Sequence, residues 1–229
     1  MRDLGTVLIT GGASGLGAAT AQAVTEQGGR PLVIDRNRPA YDVEFVLADI
    51  ANQEATEEAV HRLAQAAGGR LDGVFTAAGI DSCGPLSDVP AAEWEMVIKV
   101  NLLGTAAVVR AALPYLERSH GTVVTCASTL GIKAVSDATA YSASKFGVVG
   151  FTRALAAELA GRVGVTLLIP GGMHTSFFDG RTEQYKPPPD AKLNRPQDTA
   201  ATVLFAMRQP VGSEIREMVV CASEESSWP

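Results

Sequence analysis

The stretch Val7-Leu8-Ile9-Thr10-Gly11-Gly12-Ala13-Ser14-Gly15-Leu16-Gly17 places an apolar run directly before a glycine-rich turn. The residues that follow, 18 to 27, have the composition of a helix. A strand that enters such a turn and then a helix leaves free backbone N–H groups and a positive helix end at the turn. The stretch therefore predicts a strand, a turn that binds the pyrophosphate of a dinucleotide, and a helix.

The glycines of this turn have separate expected roles. Gly11 allows the tight turn, Gly15 the close approach of a phosphate, and Gly17 the close packing of helix on strand. Ser14 and Leu16 lie between them and are predicted to contact the same ligand. A glycine pattern alone is weak evidence, because a flexible loop without a ligand has the same composition. The strand before it and the helix after it favour the binding interpretation.

A second group of residues, Ser128, Tyr141 and Lys145, lies more than a hundred positions further on. Tyr141 and Lys145 are four positions apart, so on a helix they share a face, and the ammonium favours the ionised phenol. Free tyrosine has a pKa of about 10. To act as a base near pH 7, the phenol needs this pKa lowered by roughly 3, which corresponds to about 4 kcal/mol of preferential stabilisation of the phenolate. Lys145 and a positively charged nicotinamide are predicted to supply this together. Singly, each residue also suits an ordinary role, such as a strand-end hydroxyl or a solvated helix face.

The two motifs together resemble the compact, single-domain branch of the short-chain dehydrogenase/reductase family. The resemblance rests on the T-G-x-x-x-G-x-G turn, on Ser128 and on Tyr141-Ser142-Ala143-Ser144-Lys145, and it runs from about Thr6 to Pro210. It implies a nicotinamide-dependent oxidoreductase on a Rossmann-type fold, assembled as a homodimer or homotetramer. In this family the serine holds the substrate oxygen, the tyrosine exchanges its proton, and the lysine binds the nicotinamide ribose.

The resemblance also assigns residues outside the two motifs. Asn101 matches the family's catalytic asparagine, which anchors a water linking the lysine to solvent. Asp49-Ile50 match the element that contacts the adenine. Pro170-Gly171 and Thr175 match the P-G-x-x-x-T segment that holds the nicotinamide carboxamide.

One family element departs from its usual sequence. The N-N-A-G stretch appears here as Thr76-Ala77-Ala78-Gly79, in which Ala78 and Gly79 remain predicted cofactor contacts. Loss of the asparagine removes a hydrogen bond that steadies the central strands. The departure therefore concerns stability more than chemistry, and Ala77 is expected to pack against neighbouring strands instead.

Asp35 bears on the choice of cofactor. It follows the apolar run Leu32-Val33-Ile34, where a carboxylate at the end of the second strand accepts hydrogen bonds from the adenosine ribose. A 2′-phosphate would meet like charge there, so NAD is predicted over NADP. Arg36 keeps the alternative open, because a guanidinium pairs with a phosphate if Asp35 turns away.

Apolar strand-like runs alternate with helix-like segments along the whole chain. This alternation predicts one α/β domain over residues 1–229, a Rossmann-type doubly wound, mainly parallel seven-stranded sheet with helices on both faces. Helices are predicted around Val60 to Ala67, Leu102 to Leu116 and Ala140 to Ala160. The predicted strands are Val7–Thr10, Pro31–Asp35, Glu44–Ala48, Gly73–Thr76, Thr122–Ala127, Val165–Ile169 and Arg216–Cys221.

Residues 171–195 differ in character and are predicted to form a lid over the substrate. They combine apolar side chains with Lys186-Pro187-Pro188-Pro189-Asp190, which cannot continue a helix. His174 is expected at the surface, and Pro196 begins a further helix. Ile132, Met173 and Phe177 are the predicted pocket residues and favour an apolar or mixed alcohol.

Composition limits the classes of partner. The chain has 229 residues and a net charge of −6, with 19 basic and 25 acidic residues, which argues against nucleic acid. No apolar run of membrane-spanning length and no signal peptide are predicted, so a cytoplasmic location is expected. No metal-ligand spacing links the three histidines, so no metal is predicted. The three cysteines, predicted to be reduced thiols, are Cys83, Cys126 and Cys221.

The predicted activity is NAD-dependent interconversion of a secondary alcohol and a ketone. Two alternatives remain: a reductase of β-ketoacyl thioesters, and a non-catalytic protein that senses dinucleotides. The acidic balance and Asp35 weaken the first, and the intact Ser-Tyr-Lys set weakens the second. The polar tail that contains Trp228 is predicted either to stay mobile or to dock on a neighbouring subunit.

Overall fold

In the computed structural model, which describes residues 1–225, seven strands form one sheet in which every neighbouring pair is parallel. The central strands are runs of branched apolar residues buried on both faces, as a parallel sheet covered by helices requires. The strands are β1 Thr6–Thr10, β2 Arg30–Asp35, β3 Glu44–Leu47, β4 Gly73–Thr76, β5 Thr122–Cys126, β6 Gly164–Pro170 and β7 Glu217–Val220.

Helices connect the strands and cover both faces of the sheet. A π-helical segment, Lys99–Gly104, joins two of them, and short 3₁₀ turns lie at Thr129–Gly131, Ser176–Phe178 and Glu183–Tyr185. The α-helices are α1 Gly15–Glu26, α2 Gln53–Ala66, α3 Ala91–Ile98, α4 Thr105–Glu117, α5 Thr139–Glu158 and α6 Pro196–Met207.

The core has two main parts, one on each face of the sheet. Helices α1 and α6 pack on one face against side chains such as Ile9, Val33 and Phe75. Helices α2, α4 and α5 pack on the other face, where Leu8 and Leu32 are fully buried. Successive residues of β1 and β2 thus point into opposite layers, as the alternation of side chains along a strand dictates.

The strand order, β3-β2-β1-β4-β5-β6-β7, reverses direction between β1 and β4. Connections that leave these two strands go to opposite sides, which opens a crevice outside their carboxyl ends. The glycine-rich turn follows β1 and the Ala77-Ala78-Gly79 stretch follows β4, so both face this crevice. The fold therefore places the predicted binding motifs at the switch point.

The predicted fold class is confirmed, and each predicted strand is found within one residue of its expected ends. Pro196 is the first residue of α6, and Val203, Leu204 and Met207 of that helix are buried. His174 is exposed, as expected. Of the predicted tail, residues 223–225 are described, and Glu225 Oε2 accepts a hydrogen bond from the Gly172 N–H at 2.9 Å. Trp228 lies outside the described residues.

The helical region around Asn101 differs from its prediction. The expected helix Leu102 to Leu116 is part of a longer stretch, Ala91–Glu117, whose middle is π-helical. By length and composition this 27-residue stretch could cross a membrane, although no such run was predicted. The prediction missed it because three helical segments join end to end across Lys99. In the described fold, 56% of its most apolar window is buried, as in the core helix of a globular protein, which meets the same two criteria.

Candidate active site

A cavity of about 710 Å³ lies outside the carboxyl ends of the strands. It brings together nearly all the side chains singled out in the sequence, from all six strand ends between β1 and β6. Those lining it are Gly11, Ser14, Gly15, Leu16, Gly17, Asp35, Asp49, Ile50, Ala78, Gly79, Ser128, Tyr141, Lys145, Pro170, Gly171 and Thr175. Among the predicted catalytic and cofactor-binding residues, Asn101 is the exception, because it lies one layer behind the cavity wall.

The glycine-rich turn can hold its shape only with glycine at several positions. Gly11 has a φ of +70° and Gly15 a φ of +54°, which side-chain-bearing residues rarely adopt. A Cβ on Gly17 would lie 2.2 Å from the Gly11 carbonyl oxygen, so this glycine allows α1 to approach the turn itself, and not the strand as predicted. Tyr41, which the sequence did not point to, braces the turn by donating its hydroxyl to the Gly12 carbonyl at 2.6 Å.

Asp35 is held in one orientation at the end of β2. Its Oδ2 accepts from the Ala13 N–H of the glycine-rich turn at 2.9 Å, and its Oδ1 accepts from the Asn37 N–H at 2.8 Å. Each carboxylate oxygen has two lone pairs, so both can accept a further hydrogen bond. Arg36 is exposed and also lines the cavity. The glycine-rich turn, which faces the expected pyrophosphate position, therefore also directs the Asp35 carboxylate into the cavity.

Ser128, Tyr141 and Lys145 meet between the end of β5 and helix α5. The Ser128 and Tyr141 side chains are hydrogen-bonded to each other, and the Ser128 Oγ also accepts from the Leu130 N–H at 3.1 Å. The Lys145 ammonium donates to the Cys126 carbonyl at 2.9 Å and lies 5.6 Å from the centre of the Tyr141 ring. One helical turn separates Tyr141 from Lys145, and this spacing places both on the face toward β5.

Burial dominates the electrostatics of this group. It raises the pKa of the Tyr141 phenol, as do Cys126 and Asp81, while the hydrogen bond from Ser128 and the charge of Arg181 lower that pKa. Burial likewise lowers the pKa of the Lys145 ammonium. The expected lowering of the tyrosine pKa by Lys145 is therefore not found in the chain alone. The reason is that the ammonium is itself desolvated and is bonded to a carbonyl.

Asn101 organises the wall behind Ser128, Tyr141 and Lys145. Its Oδ1 accepts from the Ile80 N–H at 2.8 Å, and its Nδ2 donates to the Ile80 carbonyl at 2.9 Å and to Ser144 Oγ at 3.0 Å. It therefore ties the loop after β4 to helix α5. The π-helical geometry of Lys99–Gly104 places this side chain on the cavity side of the helical stretch. Such bulges are frequent at functional sites.

The altered N-N-A-G element is accommodated by other contacts. The Ala78 N–H donates to Thr10 Oγ1 at 3.3 Å, which joins the ends of β4 and β1. Ala77 packs in the apolar layer beneath α1 and α6. The expected packing role of Ala77 is therefore found, and a threonine hydroxyl links the central strands.

Residues 171–195 cover part of the cavity. Met173 and Phe177 line it, as predicted, but Ile132 does not, because it packs instead on the apolar layer behind α5. Sequence reasoning missed Asp81 and Arg181, which also line it and form a salt bridge with an N–O distance of 2.5 Å. The two residues are a hundred positions apart, and no motif connects them.

The cysteines and histidines take no part in a metal centre within residues 1–225. No group of three or more metal-ligating side chains comes together in this range. All three cysteines are free thiols. Cys126 of β5 packs on the apolar layer beneath α1 and α6, and burial raises the pKa of its thiol.

The cavity residues fit a nicotinamide dinucleotide. Only glycine fits at two positions of the turn after β1, because a Cβ would lie 2.7 Å from the Ala78 Cα at Gly11 and 2.2 Å from the Gly11 carbonyl oxygen at Gly17. The turn and the first residues of α1 line the cavity, so the N-terminus of this helix faces it. Asp35 lies at one end, and Ser128 and Tyr141 lie toward the other. The residues from Gly11 to Gly17 would hold the pyrophosphate, and Asp35 would hold the adenosine ribose.

Comparison with known proteins finds relatives that match nearly the whole chain. An uncharacterized oxidoreductase of Staphylococcus aureus strain MW2 is 35% identical over 225 residues, 93% of this chain and 95% of that protein. The BbsD subunit of (2S)-[(R)-hydroxy(phenyl)methyl]succinyl-CoA dehydrogenase from Thauera aromatica is 37% identical over 219 residues, 86% of this chain and 87% of its own.

Two solved structures share the fold at low sequence identity. The ligand-free aldohexose dehydrogenase of Thermoplasma acidophilum has a TM-score of 0.83 at 22% identity, covering 95% of this chain and 93% of its own. The alcohol dehydrogenase of the archaeon Thermococcus sibiricus, in complex with 5-hydroxy-NADP, has a TM-score of 0.86 at 21% identity, with 96% and 97% covered. The family model described as short chain dehydrogenase matches residues 5–186. The chain therefore belongs to the short chain dehydrogenase family and is an oxidoreductase acting on CH–OH groups.

Proposed function

We propose that this protein is an NAD-dependent oxidoreductase that interconverts a secondary alcohol and a ketone, with Tyr141 as the general acid and base. The observation that carries the proposal is the position of Tyr141, which lines the same cavity as Ser128, Lys145 and the glycine-rich turn. A proton carrier and a dinucleotide cradle in one cavity are the two parts that such a reaction needs.

The chain's own residues would handle the proton and the substrate oxygen. In alcohol oxidation, the ionised Tyr141 removes the hydroxyl proton while Ser128 donates a hydrogen bond to the same oxygen; in reduction, Tyr141 returns the proton. Lys145 would hold the nicotinamide ribose, and Asn101 would support the path by which the proton reaches solvent. A bound nicotinamide supplies the hydride acceptor or donor.

The proposed domain organisation follows from the same cavity. We take the chain as a single catalytic domain in which residues 171–195 form a lid over the substrate. Met173 and Phe177 of this segment line the cavity, and the isolated pairing of Met173 with Asn194 closes the segment into a loop. Exposed apolar side chains on the α3–α4 stretch and on α5 support assembly into a homodimer or homotetramer: Met96, Leu103 and Phe146.

The experiment that tests the function is an absorbance assay with NAD or NADP against a panel of alcohols and ketones. Turnover of at least one secondary alcohol with NAD would support the proposal. Dinucleotide binding without turnover of any alcohol or ketone would instead favour a dinucleotide sensor. Acyl-CoA thioesters belong in the panel as a second candidate substrate class, because the Thauera relative is named for a succinyl-CoA substrate.

Asp35 is the proposed selector of NAD over NADP, and replacing Asp35 by Ala is expected to narrow that preference. The carboxylate offers acceptors to the ribose hydroxyls and repels a 2′-phosphate, and the neighbouring Arg36 can then pair with the phosphate. Loss of one charged hydrogen bond is worth about tenfold or more. The measurement is kcat/KM for both cofactors.

The control for Asp35 is Asp42→Ala, which removes an exposed carboxylate of the same β2–β3 connection that does not line the cavity. This variant should keep the wild-type ratio. An unchanged ratio in Asp35→Ala would show that another residue selects the cofactor.

A further inference from the structure

The Asp81–Arg181 ion pair is the most buried ion pair among the described residues. The Asp81 side chain is 5% exposed and the Arg181 side chain 18%. Asp81 lies in the loop after β4, and Arg181 lies in the proposed lid. Both line the cavity that contains Tyr141. When one member of such a pair is removed, the other is left as an uncompensated buried charge.

Other groups also hold the Asp81 carboxylate in place. Its Oδ1 accepts from the Ser82 N–H at 2.7 Å, and its Oδ2 accepts from the Cys83 thiol at 3.1 Å. Burial and then Asp81 raise the pKa of Cys83 to about 12, so this thiol stays a neutral donor. Asp81 therefore keeps two hydrogen bonds that hold its carboxylate in place even without Arg181.

Arg181 connects this carboxylate to the aromatic wall beside Tyr141. The guanidinium carbon lies 5.3 Å from the centre of the Phe177 ring and 4.7 Å from that of Phe178. The Phe177 ring lies 5.7 Å from the Tyr141 ring. The Arg181 guanidinium thus pairs with a carboxylate and stacks on aromatic faces at the same time. A lysine ammonium is poorly suited to do both.

A second contact holds the same part of the lid. Arg181 also donates to the Tyr185 carbonyl at 3.1 Å, and the Tyr185 hydroxyl donates to Asp137 Oδ2 at 3.1 Å, ahead of helix α5. The lid is thus attached to the loop after β4 and to the segment before α5. These are the segments on either side of the catalytic group.

Four titratable or charged groups face the Tyr141 phenol. Lys145 comes from its own helix, Cys126 from β5, Asp81 from the loop after β4, and Arg181 from the lid. Asp81 opposes ionisation of the phenol and Arg181 favours it. The two charges act in opposite directions on one proton carrier.

We propose that Arg181 is a positioning residue for the reaction: it neutralises Asp81 and holds Phe177 against Tyr141. The inference rests on the proposed role of Tyr141. It adds Arg181, a residue of the proposed lid, to the residues that control proton transfer by Tyr141. Arg181 does this through Asp81 and Phe177, so its effect appears in the pH dependence of the reaction.

The test is the pH profile of kcat/KM for alcohol oxidation in matched variants. Arg181→Met leaves Asp81 unopposed, so the acid limb, where the phenol must ionise, should move to higher pH by roughly one unit. Asp81→Asn removes the opposing charge, and its limb should move to lower pH. Arg181→Met combined with Asp81→Asn should bring the limb back toward the wild type. Arg181→Lys should keep the acid limb near its wild-type pH, because the positive charge is retained. It should raise KM for the alcohol, because an ammonium does not hold the Phe177 ring in place.

A readout without turnover separates this inference from the proposed function. Ultraviolet tyrosinate absorbance is titrated in each variant and in the same variant carrying Tyr141→Phe, and the difference reports Tyr141 alone. The Tyr141 titration should move in the same directions as the kinetic limb. If Tyr141→Phe retains turnover, the proposed function fails.

The inference on Arg181 has its own contrary outcome. If Tyr141→Phe is inactive and Arg181→Met titrates like the wild type, the positioning role of Arg181 is refuted while the function stands. Should Arg181→Met not fold, Asp81→Asn and the double variant still decide the matter. The inference is overturned if the acid limb of the pH profile does not move to lower pH in Asp81→Asn. It is also overturned if the limb of the double variant lies as far from that of the wild type as the limb of a single variant does.

Discussion

The variant Tyr141→Phe is expected to lose at least about 10²-fold and up to about 10⁴-fold in turnover, the range that one general acid or base contributes. The ring remains, so contact with Phe177 and the packing of α5 are kept. Only the hydroxyl that bonds Ser128 and would exchange the substrate proton is removed. The measurement is steady-state turnover in both directions, together with dinucleotide binding by fluorescence or calorimetry.

Dinucleotide affinity is expected to change little in this variant, because the cradle at Gly11 to Gly17 and the Asp35 carboxylate do not contact the phenol. The matched control is Tyr115→Phe. Tyr115 is also buried, but its hydroxyl lies 3.0 Å from His61 Nδ1 and the residue does not line the cavity. It should keep its activity and lose at most about 1 kcal/mol of unfolding free energy. Turnover by Tyr141→Phe comparable to that of Tyr115→Phe would remove Tyr141 from the mechanism.

The strands and the main cavity residues were predictable because their signals are local. Val7-Leu8-Ile9 and Leu32-Val33-Ile34 are apolar without interruption, which is typical of strands buried on both faces. In a parallel sheet the carboxyl ends of all strands lie at one edge. Residues that follow different strands, such as Asp35 and Ser128, must therefore lie along the same edge, whatever their distance along the chain.

The features that were missed depend on geometry that no local pattern encodes. Asp81 and Arg181 come together only because the segment 171–195 folds back toward the loop after β4. The π-helical segment at Asn101 has the composition of an ordinary apolar helix, and its altered hydrogen bonding is a response to the packing around it. Ile132 is as apolar as Met173, and only the 3₁₀ turn that follows Ser128 directs it into the core.

Gly17→Ala is expected to weaken both the fold and dinucleotide binding, although helix propensity alone predicts the opposite. Gly17 is the third residue of α1, where alanine would stabilise an isolated helix by about 1 kcal/mol. Its Cβ, however, would lie 2.2 Å from the Gly11 carbonyl oxygen and 2.6 Å from the Gly11 carbonyl carbon. Both are backbone atoms, so no side-chain rotation relieves the contact.

To relieve the contact between the alanine Cβ and the Gly11 carbonyl, α1 must move away from the glycine-rich turn. That movement separates the N-terminus of α1 from the backbone N–H groups of the turn. Overpacking of this kind costs about 1–3 kcal/mol, which outweighs the gain from propensity. The measurements are the unfolding free energy in urea and the dissociation constant for NAD, which should rise at least about tenfold, the equivalent of roughly 1.4 kcal/mol. Gly180→Ala is the control, because its Cβ would meet nothing within 4 Å, and it should change stability by less than about 0.5 kcal/mol. If Gly17→Ala were as stable as Gly180→Ala and bound NAD normally, close contact between helix and turn would not be what shapes the cradle.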